Sequence, residues 1–432
     1  GTTPTRLFCF RLNGFGMSLT EGSWGQLSRP VFPLRRCNGP ATGPWGLIPD
    51  DFIMTNCDMV EYFATVARGL EPLAAQELER LGATQVQPDF CGVEFWGDRA
   101  LLYRVNLWSR LAFRVLQVLH KFPCVDAEDL YQGVQRVDWG QYLPPDRSFA
   151  VTATGKTRSL NHTHFNALQV KNAIVDWQRD RFGDRSDIDT ENPDLRLNLH
   201  LHRDRATLSL DSSGDSLHRR GYRPAMGKAP LKETLAAALL DWSCWTPDLA
   251  FFDPLCGSGT LPLEAALLAL KIAPGSFRDR FGFESWPDFD PDLWDQLLAL
   301  EEAEEENSLK APIAGSDRDP VIIEQAIANA QYSGLDCHVE FDCCELDWIE
   351  PIADRGVLIC NPPYGERLGD RQQLGEFYQN LGIILKERFK GWTAYVLSGN
   401  KQLTLALGLK SSRRMPIFNG TIPCQLLEYE LY

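Results

Sequence analysis

At 432 residues the chain is too long for one ordinary hydrophobic core, so two or three domains are expected. With 44% hydrophobic and 23% charged residues it reads as globular, and no apolar run approaches the roughly 18 residues that a membrane span needs. A net charge of -15 argues against indiscriminate nucleic-acid binding by the whole surface, but residues 196–232 hold eight Arg or Lys against three Asp, a local basic face.

Residues 1–58 are rich in Gly, Pro, Ser and Arg, poor in acids and without a sustained period. Upstream translation, a transit-type peptide and a disordered tail compete for this leader; we favour a non-structural extension with Met59 as the natural start. From there the pattern predicts a strand over residues 62–66 and a helix carrying Leu70, Leu73, Leu78 and Leu81, stopped by Gly82. Next come a strand over 91–97, a long amphipathic helix over 99–119, a strand over 148–155, a helix over 165–183 and a hairpin over 195–214 turning at Arg203-Asp204-Arg205. Strands and helices mixed in this way give an α+β amino half, either one module or two small ones sharing a sheet (59–125 and 126–215).

After Gly221 the character changes. Residues 248–275 read strand, tight turn, helix, and 311–335 repeat it, with Asp319 before Pro320 as the helix start and Gly334 as the stop. Further strands are predicted over 356–360, 392–399 and 424–431. This alternation, over 216–432, predicts a parallel α/β sheet whose ligands sit beyond the carboxyl ends of its strands. The acidic run 301–306 reads as a solvated helix face. The twelve cysteines are scattered and form no C-x-x-C pair, so they read as reduced, mostly buried thiols in an intracellular compartment, with no metal expected.

Four strand ends carry candidate chemistry. In "FFDPLCGSGT" (251–260), Gly257 and Gly259 let the backbone turn sharply towards a ligand at a helix N-terminus, although no Lys follows to make a phosphate loop. Asp317 ends the second strand, where an acidic group can take both hydroxyls of a ribose; Asp319 is the better helix cap. Asp342 in "VEFDCCELD" is either an acceptor for an adenine amino group or a solvated turn acid. Finally "NPPY" (361–364) follows an apolar strand. A purine amino group is a poor nucleophile because its lone pair is delocalised. Asn361 Oδ1 and the Pro362 carbonyl are suited to accept its two N–H bonds, on a loop stiffened by two prolines, and Tyr364 is suited to stack on the base.

Together, Asp253-Pro254-Leu255-Cys256-Gly257-Ser258-Gly259-Thr260, the acidic strand ends and Asn361-Pro362-Pro363-Tyr364 resemble the S-adenosylmethionine-dependent amino methyltransferases. Residues 208–240, "VARGLE" (66–71), "LYQGVQRVDWGQYL" (130–143) and "NPPYGERLG" (361–369) are similar to the bacterial 23S rRNA guanine-N2 methyltransferases that carry a THUMP module. The resemblance covers about residues 59–432 and implies a ferredoxin-like plus THUMP α+β half that grips RNA, followed by an α/β Rossmann-like class I methyltransferase. It further implies that Asp253, Cys256, Gly257, Ser258, Gly259 and Thr260 line the cofactor S-adenosylmethionine, with Asp317 on its ribose and Asp342 on its adenine. The segment from Pro230 to Thr234 would form one wall, and Asn361, Pro362 and Tyr364 would present the guanine. Because the long form of the family continues into a second methyltransferase, only the guanine-N2 activity is expected of this chain.

For the RNA grip the candidates are Lys156, Arg158 and Lys171 in the THUMP half and Arg219, Arg220 and Arg223 at the junction; solvated surface charge is the alternative for each. The expected partner is 23S rRNA or a ribosome assembly intermediate, met by a cytoplasmic monomer, or an organellar one if the leader is a transit peptide. A tRNA guanine-N2 methyltransferase is the nearest rival. DNA adenine and protein glutamine methylation use the same tetrapeptide but do not account for the amino half. A pyrimidine C5 enzyme would need a cysteine positioned to attack the ring, and a non-catalytic RNA-binding protein would have no need of Asn361, Asp253 and Asp317.

Overall fold

The first half of the described residues forms a single mixed sheet with its helices. The computed structural model describes residues 59–223, 231–364 and 371–432, all within one structural unit, Ala41–Tyr432. The amino half runs β1 (Val60–Val66), α1 (Glu71–Arg80), β2 (Thr84–Asp89), β3 (Gly92–Gly97), α2 (Arg99–Trp108), β4 (Ala112–Pro123), α3 (Ala127–Gln135), β5 (Ser148–Gly155), α4 (Thr163–Phe182), β6 (Asp187–Ile188), β7 (Leu195–His202) and β8 (Arg205–Asp211). These eight strands form one sheet in the order β2-β3-β1-β4-β8-β7-β5-β6. β4 makes the join: its first half pairs with β1 and its second half with β8, both antiparallel. The hairpin turn is as the sequence predicts, with Arg203 and Asp204 both at positive φ, 46° and 57°, the geometry that matches strand twist.

One expected element fails. The long helix over 99–119 ends at Trp108, and the rest is β4. The cause lies in α1. Glu77, only 3% exposed, accepts hydrogen bonds from Ser109 Oγ (2.7 Å) and the amides of Arg110 (2.8 Å) and Leu111 (3.4 Å). That carboxylate takes the donors a continuing helix would need and turns the chain into an extended path at Ser109. β2 is also unpredicted; Pro88 near its end and its polar residues hide it.

The carboxyl half runs α5 (Glu233–Ser243), β9 (Ala250–Asp253), α6 (Thr260–Ala269), α7 (Pro291–Glu304), β10 (Ile313–Asp317), α8 (Pro320–Tyr332), β11 (Val339–Cys343), β12 (Gly356–Cys360), α9 (Arg371–Arg388), β13 (Thr393–Ser398), α10 (Lys401–Ala406), β14 (Arg413–Asn419) and β15 (Ile422–Glu430). The sheet order is β11-β10-β9-β12-β13-β15-β14, parallel from β11 to β13 and closed by the antiparallel hairpin β14–β15. The crossing between β10-β9 and β12 is the point where strand order reverses, and the carboxyl ends of these strands open onto one crevice. Asp319 caps α8 by accepting from the Val321 amide at 3.0 Å. Within the run read as a solvated face, Glu301 is instead 6% exposed and accepts the Ala273 amide at 3.0 Å.

The two halves pack through aromatic and ionic contacts. Tyr103 of α2 stacks on Phe283 with ring centres 4.3 Å apart, and meets Trp294 of α7 edge-on at 5.9 Å. Among the described residues no helix is long and apolar enough to cross a membrane.

Candidate active site

The crevice is built from four strand ends. At the first, Asp253 is 2% exposed and its Oδ1 accepts the Leu255 amide at 3.0 Å. Burial pushes its carboxyl well above the usual range; the Leu255 amide draws it back in part and the nearby Asp317 charge adds to the rise. The turn that follows has Gly257 at φ +54° and Gly259 at φ +84°, both in the left-handed region. A Cβ at Gly259 would lie 2.8 Å from the Phe341 ring of β11, so the turn packs closely against that side chain. A Cβ at Gly257 would meet no atom within 4 Å: that flank is open.

Cys256, between Asp253 and these glycines, is buried, and its amide donates to the Ser316 carbonyl at 2.9 Å. Burial, then Asp253 and Asp317, push its thiol well up, so it stays protonated and acts in packing. Ser258 is buried and its carbonyl accepts Asn329 Nδ2 at 3.0 Å. Thr260, first residue of α6, accepts Arg223 Nη1 at 2.8 Å through its hydroxyl.

Asp317 joins the second strand end to the first. Its Oδ2 accepts the Gly257 amide at 3.2 Å and its Oδ1 the Asp319 amide at 3.1 Å. Asp342 stands exposed at the end of β11, in register with Ser316, whose buried Oγ has no hydrogen-bond partner among the described residues. Thr234 of α5 is 1% exposed and its Oγ1 is likewise unpartnered. Pro230, named with it, lies outside the described residues.

The fourth strand end carries Asn361-Pro362-Pro363-Tyr364. Asn361 Oδ1 is buried and without a partner among the described residues. A buried amide oxygen in this state costs about 1–3 kcal/mol, a cost that a ligand supplying the donor relieves. Pro362 is buried and fixes the loop beside it. The Tyr364 hydroxyl accepts Asn419 Nδ2 at 2.7 Å, and its ring lies against Gly399, where a Cβ would be 3.2 Å away. Burial pushes the Tyr364 phenol up to about 12, the Asn419 contact opposing.

Asn419 is a site residue that sequence reasoning missed. It ends β14, a strand also missed, yet Asn419-Gly420 between two apolar stretches is a hairpin signal, and Gly420 has φ +62°.

The proposed RNA contacts divide. Lys156 and Arg158 follow β5 and are exposed, Lys171 is half-buried on α4, and Arg219 is exposed. Arg220 and Arg223 do not face solvent, being 2% and 8% exposed. Arg220 donates to the Arg110 carbonyl at 2.6 Å and the Leu217 carbonyl at 3.0 Å, and pairs with Glu264. Arg223 pairs with Glu233 at 3.1 Å and donates to the Leu231 carbonyl at 3.1 Å. Both guanidiniums are committed to internal acceptors, so neither is a phosphate contact; they fasten the junction to α5 and α6.

Comparison with known families matches three consecutive segments: a ferredoxin-like domain of the RlmL type over residues 61–116, a THUMP domain over 124–211, and an RMKL-like methyltransferase domain over 220–428. A protein of Synechocystis named putative RNA methyltransferase slr0064 is 57% identical over 371 residues, covering 86% of this chain and 97% of that protein. A ribosomal RNA large subunit methyltransferase K/L of Syntrophotalea carbinolica is 44% identical over 383 residues; the match covers 86% of this chain but 54% of that protein, so the chain spans about half its length. Among solved structures, SMU.472, described as a putative methyltransferase complexed with SAH, matches with TM-score 0.80 and 32% identity over 88% of this chain and 99% of that one. The chain belongs to the THUMP-containing methyltransferases whose catalytic domain is RMKL-like.

Proposed function

We propose that the protein transfers a methyl group from S-adenosylmethionine to the exocyclic N2 amine of a guanine in 23S rRNA. The observation that carries this reading is the buried, unpartnered Oδ1 of Asn361, set next to Tyr364 on the same sheet edge as the Asp253–Gly257–Asp317 turn. An amino group is the ligand that such an acceptor lacks.

The residues present fit the cofactor. The open flank of Gly257, the unpartnered Thr234 hydroxyl and the acids at the ends of β9, β10 and β11 suit an amino-acid-bearing nucleoside. Bound there, S-adenosylmethionine supplies a methyl group already activated on sulfonium. The protein's own task is alignment. Asn361 Oδ1 and the Pro362 carbonyl accept the two N–H bonds of the amine, turning its lone pair towards the crevice, and Tyr364 holds the base plane. The kinship with slr0064 supports RNA as substrate, and the resemblance to the K/L methyltransferases, named for large-subunit ribosomal RNA, supports the rRNA assignment. The test is methyl transfer to large-subunit rRNA lacking the mark, with the modified nucleotide mapped. Labelled guanine-N2 is expected; transfer confined to tRNA, or to adenine in DNA, would replace the substrate assignment.

A further inference from the structure

A second constellation lies beside the Tyr364–Asn419 contact and belongs to both halves of the chain. Arg68, in the turn between β1 and α1, is exposed, with its guanidinium carbon 4.9 Å from the centre of the Phe418 ring and 5.8 Å from that of Phe90. Phe418 immediately precedes Asn419 on β14. Gly69, next to Arg68, lies against the same strand: a Cβ there would be 3.5 Å from the Pro416 carbonyl. The ferredoxin-like turn therefore docks on the outer edge of the methyltransferase sheet, one residue from the side chain that holds Tyr364.

The guanidinium is flanked by rings but has no hydrogen-bond or ion-pair partner among the described residues. Acids are close, yet they are committed elsewhere. Glu71 accepts the Gly69 amide at 2.7 Å and the Cys91 amide at 3.1 Å, and Asp89 accepts the Phe90 amide at 2.7 Å. With its faces on aromatic rings, Arg68 keeps its N–H edge for an external acceptor, the arrangement that suits a phosphate. Phe90, at the tip between β2 and β3, is 74% exposed, a large ring surface that contributes nothing to the core. A free cationic fork beside an exposed ring matches what unpaired nucleotides offer: a phosphate and a base face.

We infer that Arg68, Phe90 and Phe418 form a subsite for single-stranded RNA that receives the nucleotides flanking the target base. Arg68 takes a backbone phosphate, Phe90 stacks on a splayed base, and Phe418 holds Arg68 in place. The inference rests on the RNA reading above. It makes the ferredoxin-like subdomain a direct contributor to substrate binding, within a few nucleotides of Asn361.

The test uses the full chain and an in vitro transcript of large-subunit rRNA. Affinity is measured as a function of salt for wild type, Arg68→Gln, Arg68→Lys and Phe90→Ala, with melting temperature and SAH affinity recorded for each. Arg68→Gln is expected to weaken binding about tenfold and to flatten the slope of log affinity against log salt by about 0.7, the loss of one phosphate contact to a single strand. Phe90→Ala should weaken binding about tenfold with little change in slope. Arg68→Lys should keep the slope, and SAH affinity should stay within about twofold in all three. If Arg68→Gln and Phe90→Ala bind RNA as wild type does, the constellation is only a docking contact, whatever happens to the melting temperature. The same holds if wild type binds no RNA. Methyl transfer is scored separately: a wild type that binds the transcript but does not methylate it defeats the proposed activity, while the affinity differences still decide the subsite.

Discussion

Arg220 and Glu264 form an ion pair, Nε to Oε1 3.4 Å, with side chains 2% and 0% exposed. Glu264 lies on α6, the helix that opens at the Gly259 turn, while Arg220 donates to the carbonyls of Arg110 and Leu217. Tyr222 donates to the same carboxylate at 2.8 Å, and Arg110 approaches it at 3.9 Å. Two guanidiniums and a phenol from the junction and the amino half thus converge on one carboxylate of the cofactor helix. The consequence is that the RNA-binding half and the cofactor turn are held in one register.

Removing the carboxylate leaves both cations buried without their counter-charge. Glu264→Gln is predicted to cost about 3–5 kcal/mol of stability. Adding Arg220→Met should deepen that loss, because it also strips the buried carbonyls of Arg110 and Leu217 of their donor. Urea unfolding midpoints of the single and double variants check this; a double variant more stable than Glu264→Gln would contradict it.

The two glycines of the turn should separate by what surrounds them. Gly259→Ala forces a Cβ to 2.8 Å from the Phe341 ring at φ +84°, so stability should fall by more than the roughly 1–2 kcal/mol of left-handed strain alone. Gly257→Ala meets no atom, so its stability cost should be limited to the left-handed strain at φ +54°, while SAH affinity should fall about tenfold or more. Calorimetric SAH titration and thermal melting of both variants separate the two effects.

Glu301 sets a pH dependence. Burial raises its carboxyl from the usual 4.5 to about 7, with the Ala273 amide opposing and the Glu305 charge adding. The folded chain therefore holds this proton more tightly than the unfolded one. Its contribution is fully present below about pH 4.5 and is lost as pH rises through about 7. Glu301→Gln should flatten that stretch of the stability curve and melt above wild type at pH 8. Melting temperatures at pH 5 and pH 8 that shift in parallel for the two proteins would contradict it.

Tyr364 is predicted to act by its ring. Tyr364→Phe keeps the ring and loses only the hydroxyl's contacts with Asn419 and Cys424, so KM for RNA should change by no more than a few-fold. Tyr364→Ala should raise it about tenfold to a hundredfold, the scale of base–aromatic stacking. Steady-state kinetics on the rRNA transcript distinguish the two.

The sequence exposes the crevice because its chemistry is local. Asp253, Gly257, Asp317 and Asn361 each sit at a strand end beside a turn signal, and strand alternation brings those ends together. What is not legible depends on partners remote in the chain. Glu77 ends the helix at Trp108 from more than thirty residues upstream, and Glu264 buries Arg220 from more than forty downstream. Arg220 looks like a surface base because nothing near it in sequence reveals the carboxylate it meets. Asn419 was within reach, since the Asn-Gly pair announces a hairpin, but its contact with Tyr364 spans 55 positions.

The most direct measurement is single-turnover methyl transfer by Asn361→Ala on unmethylated large-subunit rRNA, with SAH affinity measured alongside. Truncation removes a buried acceptor that has no partner among the described residues, so melting temperature should hold or rise slightly. SAH affinity should be unchanged, and the transfer rate should fall about a hundredfold or more. Transfer at the wild-type rate would contradict the assignment of Asn361 as the acceptor that aligns the amine.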